Sequence, residues 1–150
     1  MEARGRYWVD FKNGEVPVTG RRTVEGGDVS RFAGLTGDFN PLHTDEVFAR
    51  ETQFGARVAH GILTLAASDG QVNLSGWFDG TALALLGLDR VRFTAPVMFG
   101  DTIHTEMTVR QARESSKPDR GIVTFDVVVE NQRGEVVSTY EPSVLMRRRP

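Results

Sequence analysis

Between Gly37 and His43 the run Gly-Asp-Phe-Asn-Pro-Leu-His puts an acid, an amide, a proline and an imidazole into one short, turn-prone segment. Pro41 has no amide hydrogen and pushes Asn40 towards extended backbone, so no regular helix is expected to run through this point. On a continuous helix, positions five apart would point well away from each other. A turn at Asn40-Pro41 can instead fold His43 back towards Asp38, with Asn40 bracing it through a local backbone bond. A carboxylate beside an imidazole is a pair suited to moving protons near neutral pH. On spacing alone the same run is also an ordinary loop in which Asp38 caps a helix or turn, and spacing by itself favours that plainer reading.

The surrounding sequence sets out the elements that must hold these residues. Residues 1–16 read as a lead-in lying over the domain, with Trp8 and Phe11 as anchors. The β-branched residues in 18–25 predict a first strand, which Gly26-Gly27 breaks. Asp28 or Ser30 is placed to cap a short helix to about Leu35, with Val29, Phe32, Ala33 and Thr36 turned inward. Gly37 ends it, so Asp38 stands at a helix exit, aimed into a cleft. Thr44 is expected to cap a second short helix over residues 45–50, with Val47 and Phe48 facing the core.

A nearly uncharged run, residues 58–76, then predicts a buried helix. Ile62, Leu63, Leu65, Ala66 and Ala67 cover most of its circumference, the mark of an enclosed helix. Its free amino-terminal amides would face the Asp38/His43 turn. Val91, Phe93 and Ala95 alternate with Arg90, Arg92 and Thr94 as a half-buried strand does. Ile103 to Arg110 and Val123 to Val129 alternate in the same way, and a turn at Gln132-Arg133-Gly134 leads into residues 136–146. Pro142 implies a bulge or an edge position there. The pattern is α+β, a single domain over residues 1–150 with an antiparallel sheet curled round one helix.

The whole run Phe32-Ala33-Gly34-Leu35-Thr36-Gly37-Asp38-Phe39-Asn40-Pro41-Leu42-His43-Thr44-Asp45, with Phe48-Ala49 and His60-Gly61 after it, resembles the MaoC-like family of R-specific enoyl-CoA hydratases. Later segments fit the same family, so the resemblance covers most of the chain. It implies a hot-dog fold, an acyl-CoA thioester substrate, and a homodimer or an assembly of dimers. It also implies catalytic roles for Asp38 and His43 on water, and for the Gly61 backbone amide on the thioester oxyanion. Asn40 and Pro41 would support the site. His60 would either shape the oxyanion position or simply be a packed histidine, the more ordinary role. Some R-specific hydratases carry a serine two turns after the motif glycine. Here an ungapped reading puts Asp69 there, beside Ser68, which leaves the substrate more open than the reaction. Dehydration of carrier-protein-bound, branched or dicarboxylic acyl groups stays open too, as does a non-catalytic acyl-thioester-binding role; a hot-dog thioesterase is more distant.

Composition narrows the alternatives. The 150 residues form one domain able to bury about 70% of the surface of the unfolded chain. A net charge of −2 gives no push towards nucleic acid or a membrane. With no cysteine there is no disulfide, thiolate metal site or thiol nucleophile. His43, His60 and His104 are too scattered along the chain to suggest a zinc cluster. No cofactor is expected beyond the coenzyme A of the substrate. No charged-then-apolar leader opens the sequence, and a soluble cytoplasmic protein is expected. Arg57, Arg92 and Lys117 are candidates for coenzyme A phosphates. Arg147-Arg148-Arg149 reads as a solvated tail, with phosphate contact as the lesser alternative.

Overall fold

After a single 3-10 turn at Trp8–Asp10, the element order is strand, three short helices, one longer helix, then four long strands. A computed structural model of the chain describes residues 4–17 and 19–150. The first strand was expected to open at residue 18, outside the described residues; within them it is the brief β1, Arg21–Thr23. The helices are α1 (Gly26–Thr36), α2 (Pro41–Thr44), α3 (Glu46–Arg50) and α4 (Gly61–Asn73). The long strands are β2 (Ala82–Phe93), β3 (Thr102–Glu114), β4 (Arg120–Glu130) and β5 (Val136–Arg147). They make one antiparallel sheet in the order β1-β3-β4-β5-β2.

Along β4 and the first half of β3, buried residues alternate with partly or fully exposed ones, as a sheet covered more on one face does. Ile103, Met107, Val109, Val123, Phe125, Val127 and Val129 are buried and form most of the sheet side of the core. Helix α4 lies against it through Leu63, Thr64, Ala67, Ser68, Gln71 and Val72. Gln71 ties the two layers together. Its amide donates to the carbonyls of Gly20 and Ile103, and its carbonyl accepts the Thr105 hydroxyl at 2.6 Å. The lead-in is anchored as expected by Phe11, whose ring packs on Trp77, Phe78 and Phe125.

Several expectations need correction. The central helix is shorter than residues 58–76, and it is not enclosed. Ile62, Ala66, Asp69, Gly70 and Asn73 form an exposed stripe along its far side. Pro142 lies in an interior strand, not at an edge, and faces Leu88. Irregularity does flank it in the neighbouring strand, where register shifts fall between Leu85 and Gly87 and between Asp89 and Arg92, on either side of Leu88. Arg90, at φ +48°, sits inside the second of these. Strand β2 starts well before the alternating residues around Val91. The cap of α3 is Asp45, whose Oδ1 accepts the amides of Val47 and Phe48; Thr44 instead donates back to the carbonyls of Phe39 and Asn40. Val47 and Phe48 are exposed, and only Ala49 of that helix is buried.

Candidate active site

Three helix ends converge on the site. Helix α1 stops where Gly37 adopts φ +80° and its amide bonds the Ala33 carbonyl. Glycine takes that left-handed conformation without the cost a side chain would bring. The next residue, Asp38, leaves the helix with its side chain half exposed, and its Oδ1 accepts the Asn40 amide at 3.2 Å. Asn40 is extended (φ −52°, ψ 132°), and its own Oδ1 caps the Leu42 amide. Pro41 takes the first helical position of α2, where a missing N–H costs nothing. One short turn of helix then brings His43 round to the same side.

Asp38 and His43 are near each other but not hydrogen-bonded. The His43 Nδ1–H donates to the Val58 carbonyl at 2.7 Å. Carbonyls only accept, so Nδ1 carries a proton, and in the neutral ring Nε2 is the lone-pair acceptor. His60 joins them from the start of α4. Its ring lies 3.8 Å from that of His43, and its Nε2 is 3.0 Å from the Asp38 carbonyl and 3.9 Å from the Asp38 carboxylate. Acid and imidazole atoms of Asp38, His43 and His60 all come within 4.8 Å of one another. Two of the histidines expected to stand apart therefore lie ring to ring, tilted 32° to each other. Each ring already spends one N–H on a carbonyl, which leaves one nitrogen per ring uncommitted. An acid and two imidazoles this close can pass protons through a bound water.

A cavity of about 370 Å³ adjoins the cluster, lined by Leu42, His43, Gly61, Thr64, Phe93 and Val137 among others. Gly61 opens α4, so its N–H has no acceptor within the helix. The Phe93 ring lies over Gly61, and a Cβ there would stand 3.1 Å from two ring carbons. Glycine thus lets the Phe93 ring sit close without being displaced. Such an uncommitted amide, at the positive end of a helix, can stabilise negative charge on an oxygen.

Residues 10–131 match the family model described as the MaoC like domain. The chain belongs to the MaoC-like family. It is 31% identical to the (R)-specific enoyl-CoA hydratase of Rhodospirillum rubrum, over 95% of this chain and 93% of that protein. It is 34% identical to Protein MaoC of Klebsiella aerogenes over 71% of this chain, but spans only 31% of that longer protein. A solved structure described as the monoamine oxidase regulatory protein of Archaeoglobus fulgius superposes with a TM-score of 0.92 at 38% identity, covering 100% of both chains. The sheet packed on α4 is the hot-dog architecture, and this MaoC-like chain falls among hydratases and dehydratases.

Ser68 and Asp69 of this MaoC-like protein lie elsewhere, roughly 10–12 Å along α4 from Gly61 by helix rise. Ser68 is fully buried; its hydroxyl lies 2.6 Å from that of Tyr140 and also donates to the Leu65 carbonyl. Burial pushes the Tyr140 phenol up to about 12. Asp69 lines a second cavity, of about 280 Å³, with Val72, Phe78, Met107 and Val144 among its walls. The residue as a whole is exposed, yet the cavity wall desolvates its carboxyl and raises its pKa. Neither residue lines the cavity beside His43. Of the coenzyme A candidates, Arg57 is committed to Glu46 at 2.9 Å and lies over the Phe99 ring, while Arg92 bonds the Val91 carbonyl.

Among the described residues, no helix is long and apolar enough to cross a membrane.

Proposed function

We propose that the protein reversibly adds water across the double bond of a 2-enoyl-CoA thioester, giving a 3-hydroxyacyl-CoA of R configuration. The observation that carries this reading is the His43 tautomer. With Nδ1–H held by Val58, Nε2 can accept a proton of a water bound between it and the Asp38 carboxylate. Asp38 takes the principal acid/base role and His43 positions the water and shares its proton. The water oxygen bonds to the β-carbon as its proton leaves. The electron pair of the double bond moves towards the thioester oxygen, where the Gly61 amide stabilises the charge. A proton then returns to the α-carbon on the same face, so the elements of one water are added. The half-exposed Asp38 and the cavity at Gly61 leave room for water and thioester together.

A second copy of the chain completes this proposal. Strand β2 is an edge of the sheet, twelve residues long, with Leu83, Leu85, Leu86, Leu88 and Phe93 exposed; Ile62 is exposed on α4. A long apolar edge is a liability unless something covers it.

Incubation with crotonyl-CoA tests the reaction, following enoyl absorbance and free thiol together. Loss of absorbance without thiol supports hydration. Thiol release points to a thioesterase, and no change across a panel of thioesters points to a binding role.

A further inference from the structure

We propose that His60 is a positioning residue that fastens the acid/base loop to the turn carrying Gly61. The inference rests on the hydration reading above. His60 is 2% exposed and occupies the cap position of α4, directly before Gly61. Serine, threonine, asparagine and aspartate are the usual residues there because their side chains bond the first helical amides. The His60 side chain makes no such bond.

Its one hydrogen bond instead runs across 22 residues of sequence, from Nε2–H to the Asp38 carbonyl. The remaining bonds of Asp38 are local, to Thr36 and Asn40, so His60 is its only hydrogen-bond link to α4 among the described residues. The other ring nitrogen, Nδ1, is buried with no partner. A buried polar atom without a partner destabilises the fold. An apolar side chain of similar size would avoid that penalty, so packing alone does not explain an imidazole here.

The ring itself is clamped. Phe32 lies 5.0 Å away, tilted 56°, and His43 lies 3.8 Å away, tilted 32°. His60 therefore meets all three parts of the machinery: Asp38 by a hydrogen bond, His43 by ring contact and Gly61 by the peptide bond. An error of about 1 Å between such groups is enough to cost on the order of a hundredfold in rate.

The test compares unmodified protein with His60→Leu and His60→Gln. The glutamine keeps an N–H donor of similar reach. Steady-state rates with crotonyl-CoA are paired with ¹⁵N-detected imidazole spectra. We expect His60→Leu to lower kcat by about 10–100-fold with KM within about twofold, and His60→Gln to recover most of the loss. The unmodified protein should give a protected His60 Nε2–H signal. Full kcat in His60→Leu overturns the role, as does equal loss in both variants or an exchanging Nε2–H. If His60→Leu does not fold, the glutamine variant and the spectrum still decide. Absence of turnover in the unmodified protein overturns the reaction itself, a different failure from an indifferent His60→Leu.

Discussion

The His43 imidazole gives its Nδ1 proton to the Val58 carbonyl and not to the Asp38 carboxylate, although acid and imidazole atoms lie within 4.8 Å. The two side chains thus face each other across a gap and do not neutralise each other in a direct bond. A water can enter such a gap and meet an acceptor on either side. That relationship makes the site a candidate for water chemistry.

Gly61→Ala probes the thioester side of the gap. The new methyl would meet the Phe93 ring at 3.1 Å, and that ring, 48% exposed, is free to swing aside. Alanine suits a first helical turn, so the melting temperature should hardly move. The displaced ring and the methyl would both intrude beside the amide. The expected result is a loss of about 10–100-fold in kcat/KM for crotonyl-CoA. Calorimetry and steady-state kinetics on the same preparation check both halves.

Acid stability should depend on Asp101, a buried carboxylate at the turn before β3. Burial alone would push its carboxyl up. The Arg133 guanidinium, the Gln132 amide and the Met98 N–H outweigh that and hold it below the usual range. The folded state therefore binds this proton less tightly than the unfolded chain. The resulting stability is present above the unfolded pKa of about 3.9 and is lost as pH falls through the lowered folded value. Asp101→Asn should lose about 1–3 kcal/mol at pH 7 and decline less steeply between pH 5 and 3. Urea midpoints across that range measure the difference.

The uncovered face of α4 and β2 predicts the oligomeric state. Light scattering should give twice the chain mass of 16.6 kDa. Charges at two of its exposed apolar positions, in Ile62→Glu combined with Leu86→Glu, should return the protein to a single chain mass. A monomeric unmodified protein would remove the second copy from the proposal.

Much of the site was legible in the sequence because its signals are local. Gly37 as a helix end, Asn40 as a brace and Pro41 as a break in regular structure each follow from one residue's own backbone chemistry. Less legible was whatever depends on distant partners. The segment Ala-Leu-Ala-Leu-Leu-Gly-Leu at the start of β2 is apolar on both faces and carries no alternation, so only its end at Val91 and Phe93 read as strand. In α4 the apolar residues Ile62, Leu63, Leu65, Ala66 and Ala67 cover most of the circumference, which reads as enclosure, yet Ile62 and Ala66 face outward beside Asp69 and Asn73. In α3, five residues are too few for periodicity to say which side faces inward, and Val47 and Phe48 turned out exposed. The long-range bonds of Gln71 and His60 had no signal, because buried amide and imidazole groups take meaning only from the carbonyls opposite them.

The central claim is that Asp38 and His43 together handle the proton of the attacking water. Crotonyl-CoA turnover by Asp38→Asn and by His43→Ala, each checked for an unchanged circular dichroism spectrum, tests it most directly. The account predicts that each variant loses on the order of a hundredfold or more in kcat while remaining folded. Two folded variants with the full rate of the unmodified protein would contradict it.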